Sequence, residues 1–228
     1  MIGILRAAWL IARKDLLVEV RSRELAYTTL FFAVACILVF AFAFVDAEGH
    51  PIPGAPAGIL WVAIAFSGTL ALGRTFERER QSETLRALLL APVERPAVYL
   101  GKLLALLMLM AGVEAVIVPL IGLLFGAPIG VAPGLLLGLL LSGTVGFAAV
   151  GALFAAMLVR AHSRDVLLPV LLYPIAVPVV IAGVQGTQAI FAAEPNLDTA
   201  AMWLAMLVFF DAVFVTLALW TFGPVMSE

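Results

Sequence analysis

The chain has 228 residues, 64% of them hydrophobic, and carries a formal charge of only −2, with a mean hydropathy of +1.16. Soluble domains are nearer half apolar, so this composition excludes a soluble globule and indicates an integral membrane protein. The single cysteine excludes an internal disulfide and a cysteine-based metal cluster.

Residues 1–24 are too charged to span. Leu5, Trp9, Ala12, Leu16 and Val20 recur at helical spacing, and Arg6, Lys14, Glu19 and Arg21 lie off that stripe. The pattern predicts an amphipathic helix on the membrane surface; the alternative is a helix packed on the rest of the protein. A cleaved signal peptide fits poorly, because the charges are of mixed sign and the apolar run after Glu24 exceeds the roughly 7–15 residues of a signal core.

A hydrocarbon layer of about 30 Å needs roughly 20 apolar helical residues. Six runs qualify: Leu25–Val45, Ala57–Gly73, Leu103–Phe125, Gly134–Val159, Val166–Gly186 and Thr199–Phe222. They are continuous rather than alternating, which predicts helices and not a barrel. Pro51, Pro53 and Pro56 fill the first external loop, and Pro128 and Pro133 bound the second. Pro169, Pro174 and Pro178 predict a kinked or broken fifth span. Gly134, Gly138, Ser142 and Gly146 form a small-residue stripe on the fourth, suited to close packing inside the bundle or to a dimer seam, with the internal face favoured.

The cations fix an orientation. Five precede the first span, six (Arg74, Arg78, Arg80, Arg86, Arg95 and Lys102) lie around the junction of spans two and three, and Arg160 and Arg164 separate spans four and five. That accounts for all 13. The opposite loops carry Asp46, Glu48, Glu194 and Asp198 instead. The positive-inside rule then puts both termini in the cytoplasm.

Phe76–Pro96 holds eight charged residues in a chain that is 12% charged. Ser82 suits a helix N-cap, Glu83 the first turn, and Pro92 a stop. Leu85, Leu88 and Leu89 share one face of that short helix. Such a face can dock into a partner's groove or lie on the bilayer.

Gly58–Ala63, Arg74, Phe76, Glu77, Glu79, Thr84, Leu85, Leu88, Leu89, Pro92, Pro96–Val98 and Lys102 together resemble the corresponding stretch of the CcmB family, the haem exporter B permeases. Glu83 and Arg86 depart from the pattern, which usually has Gly and Glu there. The specific motif spans about 50 residues, and length and span count fit over the whole chain. The resemblance implies one permease domain, 1–228, of ABC-2-like fold, with residues 1–24 interfacial and 75–98 a coupling loop. It implies that Glu77, Arg78, Glu79, Arg80, Leu85, Leu88, Leu89 and Pro92 meet a cytoplasmic ATPase subunit (CcmA-like). It further implies a haem-handling membrane subunit (CcmC-like), a small membrane subunit (CcmD-like), a haem chaperone (CcmE-like), dimerisation, and a place in the bacterial inner membrane. The runner-up is a general ABC-2 exporter of lipid, drug or polysaccharide; a third reading is a scaffold that only transmits force.

No catalytic chemistry stands out. Gly101-Lys102 lacks the upstream glycine and the following Ser/Thr of a phosphate-binding loop, so ATP hydrolysis is expected on a partner chain. Glu114 and Asp211 lie within spans three and six, where ionisable groups are costly. They read as a polar path or proton site, or as carboxyl groups each making one interhelical hydrogen bond. His50 and His162 read as solvated loop residues. Trp9, Trp61, Trp203 and Trp220 are scattered, so a haem platform is expected on a partner and no cofactor is assigned to this chain.

Overall fold

The computed structural model describes residues 3–46, 52–75, 94–158, 161 and 163–225. Among these residues the chain forms seven helices: α1 (Ile4–Ser22), α2 (Glu24–Ala43), α3 (Ala55–Thr75), α4 (Arg95–Phe125), α5 (Pro133–Met157), α6 (Arg164–Phe191) and α7 (Leu197–Val225). Six of them, α2 to α7, are long and apolar enough to cross a membrane. The architecture is an all-α membrane bundle, as expected.

Short turns join α1 to α2, α4 to α5 and α6 to α7. Arg23 adopts a left-handed conformation at φ 55°, turning α1 sharply into α2. The exposed N–H groups of a helix's first turn need partners. Ala26 N–H donates to Glu19 Oε1 at 2.8 Å, so a carboxylate of α1 caps α2. Asn196 does the same for α7, accepting from Thr199 N–H at 2.9 Å. Pro133 begins α5, where its missing N–H costs nothing.

Burial divides the bundle. In α3 and α5, 61% and 72% of the apolar window is buried, against 17% in α2 and 11% in α7. So α3 and α5 form the centre, and α2 and α7 the lipid-facing flanks. α5 packs on α3, α4, α6 and α7, while α3 packs on α2, α4, α5 and α6. Three of the four residues in the small-residue stripe of α5 are internal: Gly138 faces Leu204, Ser142 bonds Asp211, and Gly146 lies against Phe210 and Asp211, all on α7, whereas Gly134 is exposed with nothing packed on it.

Three expectations need correction. The sequence predicts a kinked or broken fifth span; α6 is one helix through Pro169, Pro174 and Pro178, so the break is not seen. A break there would leave backbone polar groups in a layer without water, which costs more than a lost ladder bond. α4 starts at Arg95, eight residues before the apolar run at Leu103. Glu94 as N-cap residue and Pro96 in its first turn set that start. Finally, α1 is held by a face that takes only Ala12 from the predicted stripe. Ala7, Ala8, Ala12 and Glu19 are buried, and the helix packs on α4. Leu5, Trp9 and Val20 remain 81%, 49% and 65% exposed. The packed reading of α1 is therefore seen, with most of the leucine-tryptophan stripe left exposed beside the packing face.

Candidate functional site

Glu77, Arg78, Glu79, Arg80, Leu85, Leu88, Leu89 and Pro92 lie outside the described residues, as do His50 and His162. The structure does describe the two helix ends that flank 76–93, and these are tied to their surroundings.

Lys102 organises the first tie. It sits on the first turns of α4, yet is only 2% exposed. Its Nζ lies 2.9 Å from Asp15 Oδ2 of α1 and donates to the carbonyl of Thr75, the last described residue of α3, at 3.2 Å. A cation this buried needs both charge and hydrogen-bond partners. Asp15 Oδ1 is shared with Lys14 at 2.9 Å. Gly101 makes the approach possible: a Cβ there would stand 2.7 Å from Ile11 Cβ and 2.9 Å from the carbonyl oxygen of Ala8. One node thus joins α1, α3 and α4. Nearby, Arg74 pairs with Glu24 of α2 at 2.6 Å, but both are exposed, so this pair adds little. At the far side of the segment, Arg95 Nη1 donates to Gly223 O of α7 at 2.8 Å. Tyr99, one turn on and fully buried, donates to Ala149 O of α5 at 3.0 Å.

Deeper in the bundle, Trp61 is the largest fully buried side chain. Its ring fits between Gly143 of α5 and Gly183 of α6, where added Cβ atoms would come within 2.1 and 2.3 Å of ring atoms. Its Nε1–H donates to Thr187 Oγ1 of α6 at 2.9 Å. This one side chain of α3 locks three helices together.

Glu114 and Asp211 fall near the middle of α4 and α7. Residues two apart on a helix point about 200° apart, so Ser142 and Thr144 face opposite sides of α5. Thr144 Oγ1 donates to Glu114 Oε1. Ser142 Oγ donates to Asp211 Oδ2 at 2.5 Å. The two carboxyl groups are therefore separate, each held by its own hydroxyl of α5. Asp211 Oδ1 is buried without a hydrogen-bond partner among the described residues. Interhelical bonds of this kind average about 0.6 kcal/mol and reach about 1.7 kcal/mol in membranes. Thr144→Val and Ser142→Ala are each expected to lower stability by about 1 kcal/mol. Unfolding in mixed micelles checks this, and an unchanged midpoint for both would remove these bonds from the account.

Among the described residues no group of three or more His, Cys, Asp or Glu could hold a metal ion.

Sequence comparison adds to this geometry. The profile of the family described as "CcmB protein" matches residues 6–226. The chain belongs to the CcmB family. Its relatives include the "Heme exporter protein B" of Paracoccus denitrificans (strain Pd 1222), 33% identical over 176 residues, which covers 77% of this chain and 78% of that protein. The protein of the same name from Bradyrhizobium diazoefficiens is 27% identical over 179 residues, covering 78% and 79%. That of Escherichia coli (strain K12) is 37% identical over 98 residues, covering 42% and 44%.

The CcmB-like motif residues now have structural roles. Trp61 is the three-helix lock, Lys102 the node, and Pro96–Val98 the first turn of α4. The sequence reading missed the partners: Asp15, Thr75, Gly143, Gly183 and the two α5 hydroxyls. Nothing local signalled Gly143, Gly183 or Asp15, whose partners lie on other helices far along the chain.

Proposed function

We propose that this multi-pass membrane protein is the permease subunit of a haem export system serving cytochrome c maturation. The supporting observation is a CcmB family match running from residue 6 to residue 226 of a six-span bundle. On this reading the protein lies in the inner membrane with both termini cytoplasmic, because all its Lys and Arg residues fall on one side. A separate CcmA-like ATPase supplies ATP hydrolysis. CcmC-like and CcmD-like membrane subunits and a CcmE-like haem chaperone complete the assembly, and the permease acts as a dimer. Haem is cargo of the complex and is bound chiefly by partners.

The mechanism follows from the ties flanking 76–93. The segment carrying Glu77, Arg78, Glu79, Arg80, Leu85, Leu88, Leu89 and Pro92 receives the ATPase. Force applied there enters α3 at Thr75 and α4 at Arg95. From Thr75 it reaches α1 through Lys102 and Asp15, and from Arg95 it reaches α7 through Gly223. Trp61 ties α3 to α5 and α6, so displacement of α3 is carried through the centre of the bundle. Glu114 and Asp211 hold α4 and α7 on α5 during that motion.

Replacing Leu85, Leu88 and Leu89 together by Ala tests the coupling step. ATPase co-purification with the membrane complex should fall several-fold. Retention of wild-type association and ATPase stimulation by the triple variant would sink this docking assignment. The pathway itself is tested by covalent haem on c-type cytochromes in a strain lacking the chain.

A further inference from the structure

We propose that α1 carries a binding site for anionic phospholipid headgroups on the face it turns away from α4. α1 has three distinct faces. The first, built from Ala7, Ala8, Ala12 and Glu19, is buried, and Asp15 joins it through Lys102. The second is apolar and open: at 3.6 residues per turn, Leu5, Trp9 and Val20 fall within an arc of about 60°. All three are exposed. The third follows next around the helix and holds Arg6, Arg13 and Arg21, also exposed. None of these three arginines pairs with a carboxylate among the described residues. Leu10, Arg13, Lys14, Leu17, Val18 and Arg21 line one shallow groove there.

Position decides what covers these faces. α1 runs into the membrane span α2 across a single residue, Arg23. It packs beside the start of α4, at the bundle end where the cations gather. A helix at that level has acyl chains on one side and headgroups on the other. Leu5, Trp9 and Val20 suit the acyl boundary. The neighbouring arginines then lie at phosphate depth, where guanidinium groups form paired bonds to phosphate oxygens. Leucine and valine side chains between them suit the glycerol and first methylenes of the same lipid. Zwitterionic lipids meet the apolar stripe equally well but offer the arginines no net charge. The expected preference is therefore for net-negative headgroups.

The site is independent of the haem-export reading, since it needs only α1 and a bilayer. The full-length chain is placed in nanodiscs of phosphatidylcholine with a minor fraction of phosphatidylglycerol, then extracted, and retained lipids are counted by native mass spectrometry. The wild type should retain phosphatidylglycerol in excess of its share. Each arginine near an anionic surface contributes about five-fold, so R6Q/R13Q/R21Q should cut the enrichment by at least about ten-fold. These side chains are exposed, so the thermal midpoint should not move. R6K/R13K/R21K keeps the charge and should keep most of the enrichment. Equal phosphatidylglycerol retention by wild type and the glutamine variant would overturn the site. So would loss of a co-purifying acidic protein from the glutamine variant with lipid retention unchanged, because the arginines would then serve a protein partner.

Discussion

Gly143→Leu is expected to prevent stable folding, and Gly143→Ala to destabilise the bundle by about 3 kcal/mol, at the upper end of typical overpacking costs. The added methyl would stand 2.1 Å from Cη2 and 2.5 Å from Cζ3 of Trp61. The ring cannot move aside freely. Gly183 closes its other side, with a Cβ position 2.3 Å from Cε2, and the Thr187 bond fixes the indole edge. Relief therefore requires α5 and α6 to separate. The loss is large against a native stability of about 5–15 kcal/mol. Gly112 supplies the control, because nothing stands within 4 Å of a Cβ there, so Gly112→Ala should leave the thermal midpoint in detergent unchanged or slightly raised. Trp61→Leu alone should cost about 3–5 kcal/mol, as large core truncations do. Combined with Gly143→Ala it should cost less than the two added together, because residues in contact are not additive. A Gly143→Ala protein that melts with the wild type would show that the ring does not lock the helices.

Lys102→Met should loosen α1 on α4 while leaving the central bundle assembled. The substitution removes the cation between Asp15 and the Thr75 carbonyl. Lys102 is the buried member of the pair, whereas Asp15 is partly exposed and keeps Lys14 at 2.9 Å, so the loss should fall below the roughly 3–5 kcal/mol of a fully buried pair. The alanine face of α1 still packs closely on α4, so the node's share is read as partial release of the helix and not as full separation. Cysteine accessibility reads this directly. Ala12 is fully buried under α1 and Ala149 is fully buried in α5. In the Lys102→Met background, Ala12→Cys should become reactive to maleimide while Ala149→Cys stays protected. Gly101→Ala should expose Ala12→Cys in the same way, because the Ala8 carbonyl 2.9 Å from the new methyl is backbone and cannot swing away. Protection of Ala12→Cys in both backgrounds would mean that the remaining packing of α1, and not this node, holds it in place.

The spans were legible because the hydrophobic signal of a membrane helix is summed over some twenty residues and survives local irregularity. Its ends were less legible. Arg95 and Lys102 depress the hydropathy of the first turns of α4, although Glu94 and Pro96 mark its start. The three prolines of α6 pointed to a kink or a break, and the helix runs through all three. On α1 the large residues drew attention, but of that stripe only Ala12 joins the packing face, with Ala7 and Ala8, whose small size is what lets α4 approach. Small residues carry little hydropathy, so a stripe of leucine and tryptophan outweighed them. Of the candidate site, Lys102 was visible as a motif residue, whereas its pairing with Asp15, 87 positions earlier, is a product of tertiary structure. Glu114 and Asp211 stood out as carboxyl groups in apolar runs. That one helix would serve both, through hydroxyls two residues apart, depended on α5 lying between α4 and α7.

The central claim is tested most directly by covalent haem on c-type cytochromes in a strain deleted for this chain, compared with the same strain carrying the chain again. Haem-export function predicts loss of haem-stained c-type cytochromes on deletion and their return with the intact chain, but not with the Leu85, Leu88 and Leu89 triple alanine variant. Fully haem-loaded c-type cytochromes in the deletion strain would contradict it, and would favour a general exporter of another cargo.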